Sequence, residues 1–196
     1  VHSGDSACVI PPVSINKQQI ETIFKYTELL SKELKVKGLM NIQLAVKDGM
    51  IYVLEVNPRA SRTVPYVSKT IGLPIAKVAT KVIIGHKIKN VLKEYNFSQE
   101  KIFKLKYYTV KEVVLPFQKF ADVDIVLSPE MRSTGEVMGI DKTFPLSYAK
   151  SQFAANTNIP LNGKILFSLN DKDKPKGLKI AKEFRNLGFQ IIATSG

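Results

Sequence analysis

The sequence has a single cysteine, Cys8. This excludes an internal disulfide and fits a reducing compartment. No apolar run is long enough to cross a bilayer, and there is no low-complexity tract or internal repeat. A membrane-spanning or repeat architecture is therefore set aside. The opening "VHSGDSACVIPP" lacks the basic stretch and apolar core of a secretory signal. It begins on Val and runs at once into a polar, Gly-containing turn, so the chain reads as an excerpt of a longer one. The segment "MRSTGEVMG" has Gly135 and Gly139 at turn-like spacing but lacks the Gly-Lys-Ser/Thr ending of a phosphate-binding P-loop.

Acidic residues are scarce: 17 against 29 basic ones, a formal net charge of +12. The excess concentrates in residues 63–120, with 11 basic and 3 acidic side chains. Such a surface attracts nucleic acid, nucleotides or acidic partners, but a solvated lysine-rich face is the plainer reading. A nucleic-acid module would interleave its lysines with exposed aromatics. Tyr107 and Tyr108 instead open "YYTVKEVVLPF", which reads as a core strand.

Helical and strand periodicities alternate along the 196 residues, which places the chain in the α/β or α+β class. Ile20, Ile23, Phe24, Leu30 and Leu34 predict a helix capped by Ser14 and ended by Gly38. "PYVSKTIGLPIAKVATKVIIG" predicts a helix broken at Gly72 and stopped at Gly85. Residues 86–106 predict a loop with a short helix, "SPEMRSTGEVMGID" a turn-rich segment, and "TFPLSYAKSQFAANT" a helix. The polar stretch around Asn156–Asn162 marks a domain boundary. Beyond it, "GKILFSL", "PKGLKIAKEFRNLG" and "FQIIATSG" predict strand, helix and parallel strand.

"NIQLAV" and "MIYVLEV" flank a Lys-Asp-Gly turn and predict a hairpin. A two-residue turn sets Gln43 opposite Leu54 and mixes apolar with polar partners. A three-residue loop pairs Ile42, Leu44 and Val46 with Val56, Leu54 and Tyr52 on one face, to be buried together. The other face then gathers Gln43, Glu55 and Asn57. A carboxylate with amide oxygens suits Mg²⁺ or Mn²⁺ rather than zinc. Pro58 ends the ladder, and Arg59 and Arg62 follow on the next turn, where guanidinium groups bind phosphate in bidentate fashion. The residues thus spell a metal–polyphosphate site at a strand end. A polar hairpin face with a structural Glu–Arg ion pair remains the alternative.

At these residues the sequence resembles a known family. "EVNPRASRTVPYVSKTIGLPIAKVATKV", "VHSGDSACVIPP", "KGLMNIQLAVK", "KEVVLPF" and "SPEMRSTGEVMG" are similar to the large subunit of carbamoyl-phosphate synthase, in its second ATP-grasp half. The last forty or so residues look like the start of the methylglyoxal-synthase-like regulatory domain. The resemblance implies the C-terminal part of an ATP-grasp fold over residues 1–155, then a truncated effector domain over 156–196 that forms the first βαβ unit of a parallel sheet. It implies ATP- and Mg²⁺- or Mn²⁺-dependent phosphorylation of carbamate, serving arginine or pyrimidine synthesis. Gln43, Glu55 and Asn57 match cation ligands. Val1, His2, Ser3, Gln43 and Glu55 match nucleotide-site residues, and Arg59 and Arg62 match arginines at the transferred phosphoryl group. Lys174 and Thr194 match an effector pocket for a nucleotide-type allosteric ligand, an ordinary polar loop being the alternative. Read alone, His2 is a surface or core histidine, and Cys8 a small buried residue rather than a reactive thiol.

The implied partners are the remainder of the large subunit and a glutaminase small subunit, in a cytoplasmic or organellar hetro-oligomer with no nucleic acid and no membrane. A different ATP-grasp carboxylase or ligase would share Glu-x-Asn but not "RASRTVPYVSK" or the appended βαβ unit. The excerpt by itself is expected to lack synthetase activity.

Overall fold

Local choices at a few turns shape the protein, whose computed structural model describes residues 2–98, 100–119 and 125–194 (118 and 119 by backbone alone). The chain divides into two compact units, residues 1–157 and 158–196.

In the first unit, a short 3₁₀ turn (Ser3–Asp5) leads into strand β1 (Cys8–Ile10) and helix α1 (Lys17–Glu33). Asn16, not Ser14, caps α1. Its side chain accepts from Gln19 N–H at 2.9 Å, while Gln19 Oε1 accepts from Asn16 N–H at 3.0 Å. The reciprocal box needs a Gln or Glu three residues on; Asn16 has Gln19 there, whereas Ser14 has Lys17. The helix also ends before Gly38. Lys35 takes φ 50°, and Val36 N–H reaches Ser31 O at 3.0 Å, so the backbone terminates the helix with a lysine in the left-handed position.

Strands β2 (Asn41–Lys47) and β3 (Met50–Asn57) form the hairpin. Its turn has two residues, not three: Asp48 (φ 51°) and Gly49 (φ 79°) both take positive φ, the conformation whose twist matches a tight hairpin. Lys47 therefore pairs with Met50, Val46 with Ile51 and Leu44 with Val53. The register then shifts by one between Leu44 and Gln43. Beyond the shift, Gln43 pairs with Glu55 and Ile42 with Val56. Leu54 is the extra residue of a β-bulge, and it reconciles the tight turn with the Gln43–Glu55 pairing. The expected apolar face changes accordingly. Ile51 and Val53 take the register places predicted for Tyr52 and Leu54, and Leu54 is left 62% exposed.

Helices α2 (Val64–Ile71), α3 (Ile75–Ile83), α4 (Ile88–Glu94) and α5 (Glu100–Phe103) follow. Leu73, Val78 and Val91 form a buried cluster, ringed by residues that include Ile75, Tyr95 and Phe97. The lysine-rich 86–106 stretch thus forms two short helices, and the Val91 it contributes is fully buried. Strands β4 (Tyr108–Val114) and β5 (Gly135–Asp141) complete an antiparallel sheet ordered β1-β4-β5. Helix α2 is tied to β4 by polar contacts. Tyr66 O–H donates to Thr109 O at 2.7 Å, and the Thr70 and Thr109 hydroxyls lie 2.8 Å apart. Burial pushes the Tyr66 phenol up to about 12.

Strand β5 occupies much of the segment read as turn-rich. Gly139 interrupts its strand signal because helix α6 (Phe144–Ala154) packs against it backbone to backbone. A Cβ at Gly139 would overlap the Ser147 carbonyl oxygen and lie 2.5 Å from Ser151 N. Ser147 and Ser151 are fully buried at that crossing.

The second unit is strand β6 (Lys164–Phe167), helix α7 (Lys174–Asn186) and strand β7 (Gln190–Ala193), with β6 and β7 parallel as predicted. Phe184 joins them, its ring centroid 6.4 Å from Phe167 and 5.4 Å from Phe189. Among the described residues no helix is long and apolar enough to cross a membrane.

Candidate functional site

The hairpin bulge delivers two side chains to one point. Glu55 Oε1 accepts from Gln43 Nε2 at 2.5 Å and from Asn57 Nδ2 at 2.8 Å. Gln43 Nε2 also reaches Ser3 Oγ at 2.8 Å, which ties the hairpin to the 3₁₀ turn. Residues 40 positions apart in sequence thus meet at the Gln43 amide, which in turn donates to the Glu55 carboxylate. A cleft of about 480 Å³ opens over this cluster, lined by residues that include His2, Ser3, Gln43, Glu55, Arg59 and Arg62. Asn57 reaches the cluster through Glu55 and is not on the cleft wall.

His2 caps the 3₁₀ turn: its Nδ1 accepts from Gly4 N–H at 2.9 Å. The imidazole therefore has a structural partner on one nitrogen and faces the cleft from the turn. Val1 lies outside the described residues. Arg59 follows Pro58, its N–H bonded to Asn57 O at 2.8 Å and its guanidinium to Ala60 O at 3.1 Å. Arg62 is held more firmly. Its Nη1 lies 2.8 Å from Ser133 Oγ, 3.3 Å from Ser133 O and 2.9 Å from Met131 Sδ, and its Nε lies 3.4 Å from Glu136 Oε1.

These contacts bear on the ion-pair alternative. Among the described residues Glu55 pairs with neither Arg59 nor Arg62, and its partners are the two amides. A structural Glu–Arg pair does exist, but the acid is Glu136 on β5. Glu136 Oε1 also lies 3.4 Å from Lys111 Nζ, on a lysine only 2% exposed. Lys111 lines the cleft, so one carboxylate sits between two cations beside it.

Asp5 is the other buried acid here. Its two oxygens accept from Arg132 N–H at 2.7 Å and Ser133 N–H at 2.9 Å. Burial alone would raise its carboxyl. Bonds from Ser133 and from these backbone N–H groups outweigh that and hold it below the ordinary value. The Cys8 thiol, on the cleft wall, is pushed up chiefly by burial, the direction opposite to activation.

Asp5, Lys111, Ser133 and Glu136 escaped the sequence reading. Their side-chain contacts across the site span 25 to 129 positions, and no local spacing announces them. Lys111 alone left a trace, as a charge within a strand that reads as core.

A cation fits this donor set in kind. Among the described residues no three His, Cys, Asp or Glu side chains gather. A cation at Glu55 would rest on one carboxylate and amide oxygens, which leaves positions for ligand and water oxygens, a coordination suited to Mg²⁺. Each amide now turns its nitrogen to Glu55, and a half-turn of the amide presents its oxygen instead.

In the second unit, Lys174 and Thr194 line one cleft of about 460 Å³ with Phe167, Leu169 and Ile191. Lys174 Nζ lies 2.6 Å from Asp171 Oδ1. Ser195 and Gly196, expected to continue the phosphate-holding turn, lie outside the described residues.

Residues 1–91 match the family model described as the carbamoyl-phosphate synthase L chain, ATP binding domain. The whole chain is 52% identical to part of the carbamoyl phosphate synthase large chain, C-terminal section, of Methanocaldococcus jannaschii, covering 32% of that protein. It is 52% identical to the same section in Aquifex aeolicus, covering 38%. It is 54% identical to the undivided large chain of Archaeoglobus fulgidus, covering 18%. The chain therefore spans between 18% and 38% of the length of these relatives. Its mixed α/β architecture accords with the C-terminal part of an ATP-grasp fold. From end to end, roughly half of its residues are identical to the matching stretch of carbamoyl phosphate synthase large chains.

Proposed function

We propose that the chain works within an intact large chain as the C-terminal part of the ATP-grasp half that phosphorylates carbamate. In that reaction a carbamate oxygen bonds to the γ-phosphorus of ATP, the bond to the β–γ bridging oxygen breaks, and ADP leaves with the electron pair. Such a transfer needs positioning and charge neutralisation more than acid–base chemistry.

The observation that carries this reading is the convergence of the Gln43 and Asn57 amides on Glu55, which with Gln43, Arg59 and Arg62 lines one cleft. Glu55, with the amide oxygens of Gln43 and Asn57, would hold Mg²⁺ or Mn²⁺. A bound divalent ion supplies positive charge to the phosphate oxygens. Arg59 and Arg62 bind the transferred phosphoryl group and carbamate. His2 and Ser3 border the nucleotide, with Ser3 fixing the Gln43 amide. Residues 156–196 open a methylglyoxal-synthase-like domain, in which Lys174 and Thr194 contact a nucleotide-type effector. The working assembly comprises the rest of the large chain and a glutaminase small subunit that supplies ammonia. It acts in the cytoplasm or an organelle, in arginine or pyrimidine synthesis.

Arg62→Ala in an intact large chain tests this reading. Phosphoryl transfer measured backwards, as ATP formed from ADP and carbamoyl phosphate, should fall by about 100-fold or more. Bicarbonate-dependent ATP hydrolysis, the task of the other half, should persist. Unimpaired ATP formation would exclude Arg62 from the site.

A further inference from the structure

Arg62 does not set its own position. Its guanidinium is gripped by a segment 69 to 71 residues further along the chain, and that segment is gripped by a buried acid near the start. We propose that Ser133 is a positioning residue for Arg62, and that Asp5 holds Ser133 in place for that task. The proposal rests on the reading of Arg62 as a phosphoryl-binding residue.

The chain of contacts is continuous. Asp5 takes the backbone N–H groups of Arg132 and Ser133, one on each carboxylate oxygen. That bidentate grip fixes the peptide from which Ser133 projects. The single Ser133 hydroxyl proton is directed to the 3₁₀ turn, between Asp5 and Gly4 O (3.3 Å), which leaves its lone pairs for Arg62 Nη1 at 2.8 Å. The orientation of the hydroxyl is thereby set by the same 3₁₀ turn that carries Asp5. Ser133 is 7% exposed, so water does not compete for these bonds.

The far end of the turn supplies the functional logic. Ser3 accepts from Gln43, one of the side chains at Glu55. One 3₁₀ turn therefore connects to the cation cluster through Ser3 and to the arginine through Gly4, Asp5 and Ser133. Its two arms set the spacing between two groups that act on the same triphosphate. Misplacement of a charged group by an ångström at such a site costs rate rather than ground-state affinity.

The test is steady-state ATP formation from ADP and carbamoyl phosphate by an intact large chain. Ser133→Ala is expected to lower kcat by about 10- to 100-fold, the range for loss of a hydrogen bond to a charged group. KM for ADP should stay within about twofold, since the nucleotide keeps its own contacts. Ser133→Thr, which retains the hydroxyl, should restore most of kcat. Ser133→Cys keeps the volume and should reproduce the alanine loss if the alanine variant does not fold. In an Arg62→Ala background, Ser133→Ala should add nothing, because the group it positions is gone. If Arg62→Ala cripples the reaction while Ser133→Ala and Ser133→Cys leave kcat unchanged, the positioning role is wrong and the site assignment stands. Multiplying losses in the double variant would likewise overturn it, by showing that Ser133 acts on general packing. If Arg62→Ala is itself silent, the functional reading fails and this inference falls with it.

Discussion

Glu55→Ala in an intact large chain is expected to abolish carbamate phosphorylation, with a loss on the order of 10³-fold or more in ATP formation from ADP and carbamoyl phosphate. The size follows from the convergence at this residue. Among the described residues Glu55 is the sole carboxylate at the cluster, and both amides donate to its Oε1. Its removal deletes the charge and leaves two amide groups without their partner. Gln43 and Asn57 would then lose the orientation that lets their oxygens serve the same point. Glu55→Gln keeps the shape and should fail nearly as badly, because a neutral amide cannot supply the negative charge. Bicarbonate-dependent ATP hydrolysis should survive both changes. Equal loss of both activities would show that the variant had misfolded or that the site had been assigned to the wrong half.

The second large effect concerns stability. Gly139→Val should destabilise the first unit by about 3 kcal/mol or more, the upper range for forced overpacking. A Cβ there overlaps the Ser147 carbonyl oxygen and presses on Ser151 N, and both are backbone atoms of α6 that no rotamer change can move. Relief requires α6 to lift from β5. The Ser147 hydroxyl would lose its bonds to Tyr108 O and Gly139 O, both at 3.0 Å. Gly135 is the control, because its Cβ would meet nothing closer than Val114 Cβ at 3.8 Å. Gly135→Ala should therefore cost less than about 1 kcal/mol. Urea denaturation of both variants checks the contrast. Equal, small effects would show that the β5–α6 crossing is looser than the structure indicates.

These two sites also mark what the sequence could reveal. The Gln43–Glu55 pairing was legible because one face of a hairpin must collect apolar residues, and that constraint selects a register. It was legible for an incomplete reason. The Asp48–Gly49 turn takes the tight form, and the bulge at Leu54 restores the pairing that a longer loop would have produced. Periodicity detects faces and is blind to a single extra residue. Strand β5 was hidden because Gly135 and Gly139 resemble turn punctuation. What they reflect, at Gly139, is a helix passing too close for a side chain. The βαβ unit was legible because its apolar runs are short, well separated and bounded by Gly and Asp. The support of Arg62 was not legible at all. Ser133 and Asp5 lie 128 positions apart, and nothing in either neighbourhood signals a buried carboxylate over two backbone N–H groups.

The central claim is that Gln43, Glu55 and Asn57 hold the cation that grips the nucleotide. A structure of an intact large chain with Mn²⁺ and a non-hydrolysable ATP analogue tests it most directly. The account predicts Mn²⁺ bound directly to a Glu55 oxygen, with amide oxygens of Gln43 and Asn57 turned toward it and phosphate oxygens completing the shell. Mn²⁺ bound elsewhere, with both amides still donating to Glu55, would contradict it.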